Sequence, residues 1–161
     1  MSDYDTDFLQ WTERQADYSV RWKGESVYTP AFALDGAAWR KTNLPPASTE
    51  TVGVLKVTLN GDRLIASFKP ATEGKGRYDL HVARLGFGLG RDVTAGENQG
   101  RKLVHDFVVL GLTNETIRST PKELKLPAES GKPEPGSRSA VAVWVTQAGQ
   151  LAPVQAVGGW L

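Results

Sequence analysis

The sequence predicts an α+β fold that is mainly β: an antiparallel β-sandwich from about Val52 to Leu161, preceded by one helix and a short strand hairpin. Three observations carry this reading. Apolar and polar residues alternate through about six to seven short runs after Val52, turn-forming residues separate those runs, and an apolar stripe at helical spacing occurs only near the start.

In chain order, Phe8, Trp11, Tyr18 and Trp22 share one helical face, with polar Gln15 in the remaining place on the stripe. Asp5, Thr6 and Asp7 offer acceptors and negative charge to the first unpaired amides, and Arg21, Lys23 and Gly24 suit the other end. The run "ESVYTPAFALDGAAWRK" alternates around Asp35-Gly36, which predicts two short strands and a tight turn. Pro30 cannot donate to a ladder, so it belongs at a strand start or an edge, where a tight bend would admit a cis Thr29-Pro30 bond. "NLPPASTET" reads as a linker whose prolines restrict the backbone, and it divides the chain into 1–46 and 47–161.

Beyond the linker, Leu55, Val57 and Leu59 alternate towards "NGD", and Leu64, Ala66 and Phe68 alternate back, which makes a hairpin. In "RYDLHVARLGFGL" the apolar phase runs Tyr78, Leu80, Val82 and then Leu85, Phe87, Leu89, which requires a bulge or bend near Arg84 to Gly86. "KLVHDFVVLGL" is apolar on both parities near its end and is expected as a central strand. "PAESGKPEPGSRS" reads as a turn-rich surface loop. The last hairpin lies in "SAVAVWVTQAGQLAPVQAVGGWL", with Pro153 placing its second strand at an edge.

Composition excludes several functions. With Lys+Arg 19 against Asp+Glu 18, the 161-residue chain carries a net charge of +1, so no long-range field gathers phosphate and nucleic acid is not an expected partner. The absence of cysteine removes disulfides, thiolate nucleophiles and Cys-ligated zinc from these residues. No run approaches the roughly 18 apolar residues of a membrane span. "MSDYDTDFLQW" has acids where a signal peptide needs a basic region, so the chain as written is expected in the cytoplasm.

The chemical candidates are few. His105 and Asp106 are strand neighbours and point to opposite faces, so they do not form an acid-base pair, and two histidines without cysteine do not make a zinc site. "DYDTD" resembles the opening of a calcium loop, but Phe8 holds the turn position and Arg14 the closing position. "GFGLGRD" misses the dinucleotide fingerprint, since Arg91 and Val93 stand where the third glycine is needed. Trp11, Trp22, Trp39, Trp144 and Trp160 are expected mostly in cores, with a carbohydrate-binding sandwich as the lesser alternative. No catalytic constellation or cofactor site emerges. What remains is "RDVTAGENQGRKLVHDFVVLGL", two β-prone runs around a polar tip in which Gly96 and Gly100 permit positive φ. There Glu97 and Arg101 would pair across the hairpin neck.

"VYTPAFALDG" together with "TAGENQGRKLVHDFVV" resembles a family of thioredoxin-related bacterial proteins, domain of unknown function 1223, and the resemblance covers nearly the whole chain. It implies that residues 1–46 form a partial thioredoxin-like segment, with Pro30 in the place of the cis-proline that faces the active-site cysteines. It also implies an exported, cysteine-containing portion upstream of Met1, and with it a periplasmic location. Two functions follow as expectations. One is a non-catalytic module that binds an unknown protein or small-molecule partner through Tyr28, Thr29 and Pro30 and the hairpin residues Glu97, Asn98, Arg101 and His105. In it, Glu97 and Asn98 supply acceptors, and Arg101 and His105 supply donors. The other is the C-terminal part of a thiol-disulfide oxidoreductase whose cysteine motif lies upstream.

Overall fold

A computed structural model describes residues 3–22, 32–46, 48–72, 76–118, 120–129 and 135–161, with side chains of the first stretch from Thr12 onward. The chain divides into two compact units, Met1–Thr49 and Glu50–Leu161.

In the first unit, α1 spans Asp3–Arg21. It begins earlier than the expected cap, so Asp5, Thr6 and Asp7 lie within its first turns rather than ahead of them. The far end closes at Arg21, as the basic residues and Gly24 predict. Strands β1 (Phe32–Leu34) and β2 (Ala37–Trp39) form the predicted hairpin, with Phe32 opposite Trp39. Asp35 (φ 50°) and Gly36 (φ 76°) both take the left-handed conformation that a two-residue turn of this twist requires. The Trp22 indole N–H donates to the Gly36 carbonyl at 2.9 Å, and the Tyr18 ring stands 5.1 Å from that of Trp22. Tyr28, Thr29 and Pro30 lie outside the described residues, so the cis-proline expectation falls there too.

The second unit is a sandwich of two antiparallel sheets. One has the order β3 (Gly53–Asn60), β4 (Arg63–Pro70), β9 (Lys122–Lys125); the other has the order β11 (Pro153–Trp160), β10 (Arg138–Gln147), β5 (Tyr78–Phe87), β8 (Val108–Ile117). Between them, Leu55, Leu64, Ala66 and Phe68 of the smaller sheet meet Leu80, Val82, Ile117, Val141, Val143 and Val145 of the larger in one buried cluster. These are the inward residues of a period-2 pattern, which is why the alternation after Val52 reads so clearly. Phe68 and Tyr78 meet edge to face at 5.0 Å.

Three sequence expectations change. The register shift falls between Arg84 and Leu85 as predicted, but β5 runs unbroken against β10 and the extra residue is Leu110 on β8. "KLVHDFVVLGL" is not one central strand: it divides into β7 (Lys102–His105) and β8, and β8 is an edge of its sheet. Apolar residues on both parities mark the bulge at Leu110, which buries that side chain beside Gly86, rather than coverage on both faces. Finally, β9 was not anticipated, although Leu124 and Leu126 alternate with polar residues there and pack on the core. Pro153 begins the edge strand β11, in agreement with its missing N–H.

Outside the sandwich core, His81 is held on the outer face of β5. Its Nδ1 lies 2.7 Å from Asn114 Oδ1, its Nε2 lies 3.0 Å from Thr146 Oγ1, and its ring stacks on Trp144 at 5.0 Å. Both ring nitrogens are occupied by sheet neighbours, so His81 acts as a cross-strand clamp.

Candidate functional site at the aromatic end of the sandwich

At the end of β5 the chain leaves the sheet, builds a two-stranded arm and returns. The arm is β6 (Leu89–Asp92) paired with β7, and it is tied at its base by the Gly88 N–H donating to Asp106 Oδ1 at 2.8 Å. The carboxylate of Asp106 is therefore committed to the backbone and not to His105, which sits exposed opposite Leu89.

The tip is a backbone device. Gln99 N–H donates to the Gly96 carbonyl and Arg101 N–H to the Asn98 carbonyl, each at 3.0 Å, and Val93 and Gly100 complete the closure with bonds of 2.9 Å. Gly96 (φ 83°) and Gly100 (φ 81°) have open space where a Cβ would stand, so backbone conformation alone demands glycine. Glu97, Asn98 and Arg101 are exposed, and among the described residues no ion pair joins Glu97 to Arg101. The expected pairing across the neck is absent because the backbone bonds already close the tip.

Where the arm rejoins the sheet, Phe107 adopts φ 59°. A bulky L-residue rarely does so, because its Cβ crowds the following carbonyl at a cost of about 1–2 kcal/mol. Phe107 so placed is 71% exposed, and its ring meets the buried Phe87 edge to face at 4.6 Å. Phe87 also meets Trp160, itself 60% exposed, at 4.7 Å. The Arg138 guanidinium lies 4.5 Å from the Trp160 ring centroid, within cation–π range.

Beside this platform opens a pocket of about 490 Å³ lined by Arg84, Ser137, Arg138, Ser139, Trp160 and Leu161. Arg84 is half covered and pairs with Glu129 at 3.1 Å, while its Nε is buried without a hydrogen-bond partner. The site thus combines exposed π-faces with two guanidiniums and two hydroxyls. It can hold a flat apolar group and an anionic group at once. Among the described residues no group of three or more His, Asp or Glu side chains is placed to hold a metal ion, and no helix is long and apolar enough to cross a membrane.

Of the residues that the sequence singles out, Glu97, Asn98 and Arg101 lie at the tip of the arm and His105 at its base, and Tyr28, Thr29 and Pro30 fall outside the described residues. Phe87, Phe107 and Trp160 were not singled out as a group. The available signal was Phe107 itself, a large apolar residue in the break between two strands.

The family model described as a protein of unknown function, DUF1223, matches residues 8–146. The fold is similar to the crystal structure of a protein from Agrobacterium tumefaciens, with 20% identity, a TM-score of 0.53, and coverage of 91% of this chain and 68% of that one. No curated protein matches the chain.

Proposed function

The chain belongs to the DUF1223 family, and we propose that it works as a non-catalytic binding module whose ligand lies across the aromatic end of the sandwich. The supporting observation is Phe107: an exposed aromatic ring held by an unfavourable backbone conformation, beside a second exposed ring and a pocket with two guanidiniums. The fold gains the edge contact of Phe107 with Phe87, but most of Phe107 stays in water. A ligand with a flat apolar part and an anionic group would gain from both halves of it, by stacking on Trp160 and Phe107 and by charge-assisted hydrogen bonds to Arg138 and Arg84. In this reading the arm with Glu97, Asn98, Arg101 and His105 is the polar rim of the same surface.

The aromatic sulfonate 8-anilinonaphthalene-1-sulfonate has both features and serves as the probe. Its fluorescence is expected to rise saturably at one site, and Trp160→Ala is expected to weaken binding about tenfold, the loss of one stacking face. Near-UV circular dichroism must be retained throughout, because loosened proteins also bind this dye. Equal affinity for the native protein and for Trp160→Ala would remove the proposal.

A further inference from the structure

The opposite end of β5 carries a second, independent feature. Arg77 immediately precedes β5 and Arg118 immediately follows β8, and the register pairs Tyr78 with Ile117. Continuing that register by one residue sets Arg77 opposite Arg118. Like charges directly opposite on neighbouring strands repel, so the pairing disfavours the fold unless something neutralises it.

Among the described residues no ion pair does so. The four ion pairs there use Arg63, Arg84, Lys122 and Lys125, and neither Arg77 nor Arg118 takes part. Of the nearby carboxylates, Glu115 pairs with Lys122 at 2.9 Å, and Asp79 accepts the Gly149 N–H at 3.1 Å without an ion pair to either arginine. The Arg77 backbone is fixed, since its carbonyl accepts the Ala148 N–H at 2.9 Å. Both arginines line a pocket of about 310 Å³ together with Thr116, Thr120, Pro121 and Lys122.

Two guanidiniums and two hydroxyls around one concavity are the donors a tetrahedral oxyanion needs, and guanidinium forks match its oxygen geometry two at a time. We propose that the Arg77–Arg118 pocket binds a free phosphate or sulfate group, as the anion itself or as the terminal group of a small molecule. This site is separate from the aromatic end: the seven residue steps of extended chain from Arg77 to Arg84 span about 23 Å.

The test is a titration of the isotope-labelled protein with inorganic phosphate, read by backbone amide shifts at constant ionic strength. Saturable shifts confined to amides near 76–78 and 116–122 are expected, with the dissociation constant rising about tenfold in Arg118→Gln and in Arg77→Gln. Both side chains belong to exposed residues, and an unchanged amide fingerprint verifies that each variant is folded. Shifts that never saturate, that spread over all basic residues, or that persist in both variants would overturn the proposal. So would binding to phosphatidylglycerol vesicles with no response to free phosphate, which would assign the arginines to a membrane surface.

Discussion

Leu80→Ala is expected to lower the unfolding free energy of the Glu50–Leu161 unit by about 3 kcal/mol or more, since the cavity left by a buried leucine adds to the lost transfer energy. Leu80 is fully buried on β5, which has β10 on one side and β8 on the other, and it faces the cluster that joins the two sheets. Neither sheet can close the gap without dragging a strand ladder with it. Val104→Ala on the arm, where the side chain is 67% exposed, should change stability by less than about 0.5 kcal/mol. Urea unfolding of the two variants measures the difference. Equal effects would mean that the sandwich does not pack through the face that bears Leu80.

The second large effect is expected at Gly111. A Cβ there would fall against the Ala128 carbonyl oxygen and 2.9 Å from Pro127 Cβ, so the chain at 127–129 crosses β8 where only glycine leaves room. The same segment carries Glu129 to its ion pair with Arg84. Gly111→Ala must displace backbone rather than a side-chain tip, and a loss of about 1–3 kcal/mol follows, as for other overpacked sites. Gly76→Ala is the matched control, because its nearest neighbour is the Tyr78 ring at 3.5 Å, ordinary contact. A urea midpoint for Gly111→Ala no lower than that of the control would contradict the close crossing.

The parts of this fold that follow local rules were legible in the sequence. The Asp35-Gly36 turn, the β3–β4 hairpin and Pro153 at the edge each rest on one or two residues whose backbone chemistry leaves few choices. What depends on long-range pairing was not legible. Nothing within "KLVHDFVVLGL" says that Asp106 caps Gly88, so one apparent strand became two, and β9 is short enough that its two leucines carry little signal of their own. The candidate site divides the same way. The glycines of the arm announce its tip, whereas the aromatic platform assembles Phe87, Phe107 and Trp160 from positions far apart in sequence, and no spacing rule connects them.

If Phe107 is held for binding and not for stability, Phe107→Gly separates the two. Glycine adopts φ 59° without steric cost, and the ring it removes is mostly in water. Urea unfolding of this variant is expected to show stability unchanged or raised by up to about 1 kcal/mol, while the affinity for 8-anilinonaphthalene-1-sulfonate falls about tenfold. A loss of stability above about 1 kcal/mol with undiminished dye affinity would contradict it and return Phe107 to the fold.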